Sequence, residues 1–463
     1  MRLPFVLAAT LALTCASAHA STLADFYGVG GDPLKGNPDA AANFATIASG
    51  GVQLVRAQAF ARLPGQYYWF NEDLLEQNAA PAGVRWYPFI GWSPQDDMST
   101  ADPNTPPNVS DYAAFATALA QRYGPGGTFW QEHPEFPALP VKTYEVWNEE
   151  NAVAFWHPQD DAPGRYADLY LATRKAIKAV DPNATVVVGG LALGQPGSAT
   201  DEVDFLNRMF AHRPDLRGNV DAIALHPYQR NLSDVYARIA RVREAIDRLA
   251  GPSVPIEITE IGWSRSSVPE SERAADLRTL ATDLPRSDCN IDRLIPFQWI
   301  DGYGGTFGIA NSNGTPMPSG QAYLDAVRTM RGLSSTPAPT GVAKVCNPDP
   351  RTPAPGAPAS GGKPGSRPYG PRLVLRVVVD RHHARVRVLA RCPAGCALSV
   401  KLLAPHGRSG HLRRLALRHA AMSRRQRRFV LRLPPRARRL RVTVVATGHG
   451  GGVTSRTRQI KRR

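Results

Sequence analysis

Two glutamates close strongly apolar runs in this chain: Tyr144-Glu145-Val146-Trp147-Asn148-Glu149 and Ile256-Glu257-Ile258-Thr259-Glu260. Each run has the aromatic and branched aliphatic content of a buried strand and then passes into a polar loop. Carboxylates at two strand ends can face each other across a cleft, and facing carboxylates suit cleavage of a glycosidic bond. One gives its proton to the leaving oxygen while the other attacks the anomeric carbon or activates a water. A single strand-end Glu is usually a solvated loop residue. The pair points to chemistry because Asn148 stands directly before one Glu and Arg56 closes another apolar run, Val52-Gln53-Leu54-Val55-Arg56. Glu145 and Glu150 read as structural. Glu257 should point away from the partners of Glu260, since side chains alternate along a strand.

The elements that must position these groups follow from hydrophobic pattern. Between residues 21 and 332 there are eight strand-like runs: Phe26–Gly30, Val52–Gln58, Val84–Gly91, Lys142–Asn148, Ala184–Gly190, Val220–His226, Pro255–Glu260 and Leu294–Ile300. Most are nearly continuous apolar runs, as strands buried on both faces should be. Helical spacing separates them, most clearly over Ser110–Tyr123, with Ser110 as N-cap, and over Gly164–Val180, Leu232–Ala250 and Glu270–Leu284. This repeated alternation predicts an α/β fold, a closed (β/α)8 TIM barrel. An open doubly wound sheet would carry a dinucleotide fingerprint after its first strand, and Gly28-Val29-Gly30-Gly31 lacks the full motif. In the barrel, Glu149 and Glu260 end the fourth and seventh strands, on opposite sides of the C-terminal mouth where such barrels build their sites.

Trp147-Asn148-Glu149 on the fourth strand and Glu260 on the seventh resemble clan A of the glycoside hydrolases. The resemblance spans residues 26–330 and implies Glu149 as acid/base, Glu260 as nucleophile and a retaining mechanism. It further implies that Arg56 hydrogen-bonds the nucleophile, and that His226-Pro227-Tyr228 brings His226 to the site and Tyr228 onto the nucleophile. Trp299 would be the aromatic platform under the sugar. Strand three ends Tyr87-Pro88-Phe89-Ile90-Gly91-Trp92, without the His usual in family 5, which leans the resemblance towards family 39. Glu149 would have to keep its proton near neutral pH, helped by apolar walls and the charge of Glu260, while Asn148 can donate to a sugar 2-hydroxyl. Trp92, Trp156 and Trp263 lie in or after strand-end loops and are further stacking candidates.

Composition divides the chain. From residue 351 onward there are 28 Lys and Arg against one acid, Asp380, a formal charge of +27. The preceding 350 residues hold 27 bases and 38 acids, a formal −11. Residues 1–20 have Arg2, an apolar run and Ala18-His19-Ala20, the pattern of a cleaved export signal too short to span a bilayer. Residues 333–371 are rich in Pro, Ala, Gly and Ser, as in an extended linker, and residues 372–463 alternate Arg with Val or Leu, as in a small all-β sandwich-like domain. Export removes Cys15 and leaves Cys289, Cys346, Cys392 and Cys396. An even count outside the cytoplasm favours two disulfides, a local Cys392–Cys396 and, by elimination, Cys289–Cys346; four free thiols are the alternative. No metal site and no cofactor are expected.

The expected protein is therefore a secreted, monomeric glycosidase that acts on a β-linked poly- or oligosaccharide. A non-catalytic glycan-binding barrel would be expected to lack one carboxylate, and both are present; a transglycosylase would keep both. The basic tail suits an anionic cell-envelope polymer. It carries no nucleic-acid motif and, after Tyr369, only Phe429 as an aromatic, so neither nucleic acid nor a stacked sugar is its expected partner.

Overall fold

The computed structural model describes residues 23–95, 102–195, 197–302 and 305–347, together with seven strands between residues 374 and 461; the expected export signal, residues 1–20, lies outside the described residues. The chain divides into two compact units, residues 1–357 and 358–463.

In the first unit all eight apolar runs become parallel strands: β1 (Gly28–Gly30), β2 (Leu54–Arg62), β3 (Arg85–Gln95), β4 (Thr143–Val146), β5 (Thr185–Leu191), β6 (Ala222–Leu225), β7 (Ile256–Ile261) and β8 (Ile291–Pro296). They pair in chain order. The sheet closes on itself through a parallel bridge between Tyr27 and Leu294 and a 2.8 Å bond from the Trp299 N–H to the Gly30 carbonyl. Helices α1 (Ala40–Ser49), α2 (Phe70–Ala79), α3 (Val109–Tyr123), α4 (Thr128–Glu132), α5 (Ala162–Val180), α6 (Glu202–His212), α7 (Leu232–Leu249), α8 (Glu270–Asp283) and α9 (Pro318–Met330) alternate with the strands. The result is the expected (β/α)8 barrel.

Each helix is held by its apolar stripe. In α3, Tyr112, Phe115, Ala116, Leu119, Ala120 and Tyr123 are buried, the three- and four-residue spacing of one helix face. Its cap is Asn108 rather than the expected Ser110: the Asn108 Oδ1 accepts from the N–H groups of Ser110 and Asp111 at 2.9 and 3.3 Å. Inside the barrel, Leu54, Tyr87, Val187, Ala222, Ala224 and Ile295 form a compact plug. Between strands and helices lies the larger apolar layer. Among the described residues, no helix is long and apolar enough to cross a membrane.

Part of the stretch read as an extended linker packs on the barrel instead. Val345 is buried, and Ala338, Ala343 and Cys346 lie against the core. Cys346 forms a disulfide with Cys289, and the Asp288 carboxylate accepts from the N–H groups of Val345, Cys346 and Asn347 at 2.9, 2.8 and 3.1 Å. Proline-rich composition hid these few apolar contacts. The expected Cys392–Cys396 bridge involves Cys392, which lies outside the described residues.

The second unit is all-β: β9 (Val374–Asp380), β10 (Arg385–Arg391), β11 (Cys396–His406), β12 (His411–Ser423), β13 (Arg427–Arg432), β14 (Arg439–Gly448) and β15 (Val453–Lys461). These strands make two antiparallel sheets, β13-β10-β9 and β12-β11-β14-β15.

Candidate active site

Residues within β2 and β7 and just beyond β4 and β6 bring the candidate residues together; Arg56 is the third of nine residues of β2, because the strand continues past the run that it closes in sequence. β2 supplies Arg56, which is buried and uses its fork on three partners. Its Nε and Nη2 donate to Glu145 of β4 at 2.6 and 2.9 Å, Nη2 also reaches the Asn148 Oδ1 at 2.8 Å, and Nη1 donates to the Glu260 Oε1 at 2.7 Å. The Phe89 ring lies beneath the guanidinium, 4.3 Å from its carbon. Burial alone would lower the guanidinium pKa, but the carboxylates of Glu145 and Glu260 outweigh it and hold it raised, so Arg56 is a fixed cation.

Glu260, on β7, has its second oxygen bound as well: the Tyr228 hydroxyl donates to Oε2 at 3.0 Å. Burial first, then the charges of Glu260 and Glu149, push the Tyr228 phenol well above its ordinary pKa, so it stays a donor. Glu149 is held from another side. The His226 Nδ1 lies 3.0 Å from its Oε1, and the His226 Nε2 lies 3.1 Å from the Thr259 Oγ1. An oxygen of Glu149, an oxygen of Glu260 and a ring nitrogen of His226 all lie within 4.8 Å of one another. Such a trio could hold a cation, but both His226 nitrogens and the charge of Glu260 already have protein partners, so the donor set does not suit one.

The chain leaves β4 by an unusual path. Trp147 and Glu149 both have positive φ, 72° and 53°, at a cost of roughly 1–3 kcal/mol each for non-glycine residues. Two buried tyrosines hold this turn. The Tyr112 hydroxyl of α3 donates to the Ile90 carbonyl and accepts from the Trp147 N–H at 3.2 Å. The Tyr166 hydroxyl of α5 donates to the Val146 carbonyl and accepts from the Gly189 N–H, both at 2.7 Å. The Trp147 Nε1 is fixed to the Phe155 carbonyl at 3.0 Å, and the Glu149 N–H to the Gly190 carbonyl at 3.1 Å. Asn148 is thereby turned so that its oxygen meets Arg56, leaving its amide –NH2 for a ligand.

The structure thus gathers Glu149, Glu260, Arg56, Asn148, His226 and Tyr228 into one cluster. Trp299 is a correction. It is fully buried, its Nε1 donating to the Asn43 Oδ1 at 2.7 Å, and it offers no face to a sugar. β8 ends at Pro296 rather than Ile300, which puts Trp299 beyond the strand. The partly exposed aromatic at this strand end is Phe297, which packs on Phe307, itself against Tyr228, with ring centroids 5.8 and 6.0 Å apart. Trp156 and Trp263 are likewise buried, whereas Trp92 is partly exposed and stacks on Phe155 at 5.6 Å.

Glu145 does more than the structural reading allowed, because it aligns Arg56. An acid inside an apolar strand needs a buried cation as partner, and that requirement was the available signal. Glu257 behaves as expected: it accepts from the Tyr87 hydroxyl at 2.6 Å, away from Glu260, and burial raises its pKa from 4.5 to about 7. Glu150 is fully buried, and burial, then the charges of Glu145 and Glu149, push its pKa well above the carboxylate range.

No family model matches the chain. A β-xylosidase from Geobacillus stearothermophilus is 27% identical over 208 residues, a match that covers 39% of this chain and 40% of that protein. Among solved structures, a monomeric β-xylosidase from Caulobacter crescentus CB15 superposes with a TM-score of 0.50 at 16% identity, covering 88% of this chain and 94% of that one. A glucosidase from Croceicoccus marinus gives a TM-score of 0.50 at 14% identity, covering 89% and 94%. At such identities the structural likeness is one of fold, and it agrees with the resemblance to clan A glycoside hydrolases.

Proposed function

We propose that this chain is a secreted retaining glycosidase acting on β-linked poly- or oligosaccharides, with Glu149 as acid/base and Glu260 as nucleophile. The closeness of the two carboxylates, within 4.8 Å, carries the reading. Retaining enzymes hold their carboxyl groups roughly 5–5.5 Å apart, whereas inverting ones leave about 6.5–9.5 Å for a water. The names of the similar proteins, β-xylosidases and a glucosidase, favour the same class, and the monomeric xylosidase favours a monomer.

In the first step a Glu260 oxygen bonds to the anomeric carbon as the glycosidic C–O bond breaks. The Glu149 proton passes to the departing oxygen, leaving a glycosyl ester on Glu260 and a free alcohol. In the second, Glu149 takes a proton from water, whose oxygen attacks the same carbon and displaces Glu260. Two inversions give net retention. Arg56 and Tyr228 aim the Glu260 oxygens, His226 aims Glu149, and the Asn148 amide is free for the 2-hydroxyl. A sugar hydroxyl replacing water in the second step would make the product a new glycoside, so hydrolysis and transfer share the site. Proton NMR of the first-formed anomer from a β-glycoside tests the reading: β product is expected, and α product would refute the retaining assignment.

Secretion rests on the signal-like pattern of residues 1–20. The basic unit is proposed to hold the enzyme near an anionic envelope polymer, supported by the +27 formal charge of residues 351–463. Arg pairs with carboxylate and phosphate bidentately. Retention of the full chain on anionic but not neutral polysaccharide beads should fade as salt shortens the Debye length from about 10 Å at 0.1 M to 3 Å at 1 M; salt-independent retention would exclude this role.

A further inference from the structure

Tyr228 holds the second oxygen of Glu260, and its own ring meets two others. The His226 ring lies edge-on to it, centroids 6.4 Å apart at 83°, and so does the Phe307 ring, which comes from the chain after β8, centroids 6.0 Å apart at 79°. Both separations fall in the roughly 4.5–7 Å range of favourable aromatic pairs. Phe307 also packs on Phe297 at 5.8 Å, and its Cδ1 lies 3.5 Å from where a Cβ on Gly262, two residues past Glu260, would stand. The half-buried Phe307 side chain therefore rests on the nucleophile's hydroxyl donor and beside the chain just beyond β7.

A ring on a loop can brace a neighbour only if its backbone is fixed, and two arginines fix this one. Arg273 of α8 is 1% exposed. Its Nη1 pairs with Glu270, and its Nη2 donates to the carbonyls of Phe307 and Gly308 at 2.9 and 2.8 Å. Glu270 accepts in turn from the Ser319 N–H at 2.9 Å. Arg265, from the chain after β7, donates to the same Gly308 carbonyl at 2.9 Å and pairs with Asp301, which accepts from the Gly308 N–H at 2.7 Å. A Cβ at residue 308 would stand 2.7 Å from both the Asp301 nitrogen and its Oδ1, so only glycine passes there. Burying a guanidinium is costly, and burial pushes the Arg273 pKa down. What that cost secures is the backbone that carries the Phe307 ring.

We propose that Phe307 is a positioning residue that braces Tyr228 against Glu260, and that Arg273 anchors this brace; the inference rests on the reading of Glu260 as nucleophile. A carboxylate held at one oxygen can turn about its Cγ–Cδ bond. Arg56 holds Oε1 and Tyr228 holds Oε2, so both are needed to fix the plane of the attacking group. Without Phe307 the Tyr228 phenol can leave its rotamer, and the second hold is lost. The effect is on alignment of the nucleophile, so it falls on kcat rather than on KM.

The test is whether Phe307 acts through Tyr228. In the full-length protein, Phe307→Ala is expected to lower kcat on an aryl β-glycoside about five- to fiftyfold, part of what losing a hydrogen bond to a charged group costs, with KM nearly constant. Tyr228→Phe should lose at least as much. Adding Phe307→Ala to Tyr228→Phe should then cost less than about twofold more, the non-additivity of residues that act through one contact. Arg273→Lys keeps a cation but has one nitrogen for a carboxylate and two carbonyls, and its loss should be masked by Tyr228→Phe in the same way. Losses that multiply in the double variants, or a change in KM alone, would overturn the brace. Crystal structures of the parent and of Phe307→Ala give a readout free of turnover. The Tyr228 hydroxyl should sit on Glu260 in the first and away from it in the second, and an unmoved hydroxyl would overturn the brace whatever the rates. A parent inactive on every glycoside, with that displacement present, would instead overturn the glycosidase reading and leave the brace standing.

Discussion

Arg56 and Glu145 lock each other through two hydrogen bonds, 2.6 and 2.9 Å, so that the one remaining arm of the guanidinium can reach only Glu260. The acid that aligns the nucleophile is therefore 115 positions away from it in sequence and never meets it. Glu145→Gln removes the charge that sets the fork. It is expected to lower kcat by roughly ten- to a hundredfold, about 1.4–2.7 kcal/mol of barrier, with KM for an aryl glycoside nearly constant. Arg56→Lys should lose at least as much, since an ammonium cannot serve Glu145, Asn148 and Glu260 with one planar fork. A KM effect without a kcat effect in both variants would contradict this positioning role.

Gly190 makes room for His226. A Cβ at residue 190 would stand 1.9 Å from the His226 Nε2, so Gly190→Ala must displace the ring that holds Glu149. Activity on substrates with poor leaving groups should fall far more than on activated aryl glycosides, which need little protonation. His226→Gln should show the same split. Parallel losses on both substrate classes would mean that His226 does not act through Glu149.

Glu257 gives a pH dependence with a defined sign. Its folded pKa of about 7 lies above the ordinary 4.5, so the folded state holds this proton more tightly than the unfolded chain. Below pH 4.5 both states keep it. As pH rises from 4.5 to 7 the unfolded chain releases it first, and stability falls by roughly 3 kcal/mol before levelling off. Glu257→Gln keeps an acceptor for Tyr87 and removes this loss. Its Tm advantage over the parent should therefore grow between pH 5 and pH 8; a constant difference would show that Glu257 does not titrate there.

The strap at residues 338–346 should be part of the barrel's stability. A chain ending at Asn347 keeps the disulfide that closes 57 residues, whereas one ending at Leu333 loses about 4 kcal/mol by loop entropy alone. The longer form is expected to unfold near the Tm of the barrel in the full protein and the shorter one several degrees lower. Equal Tm values would make the strap ornamental.

Much of this was legible in the chain. All eight strands announced themselves as apolar runs because both faces of a barrel strand are buried, and Glu149 and Glu260 were visible as carboxylates where those runs end. What escaped was set by partners far apart in sequence. Glu145 looked structural because its cation, Arg56, stands 89 residues earlier. Tyr112 and Tyr166 lie in stretches legible only as helices, and nothing local shows that their hydroxyls hold the strained turn of Trp147 and Glu149. Trp299 was misplaced because the apolar run Leu294–Ile300 outlasts its ladder: β8 stops at Pro296, and the indole turns back to Asn43.

The role of Glu260 is tested most directly by trapping. Activated 2-deoxy-2-fluoro-β-glycosides of xylose, glucose, mannose and galactose slow both steps but leave the second slower, so a matching sugar accumulates as the glycosyl ester. Intact mass should rise by one fluoroglycosyl group, and peptide mapping should place it on Glu260, with no label in Glu260→Gln. A label on any other residue, or steady turnover of a parent β-glycoside by Glu260→Gln, would contradict the nucleophile assignment.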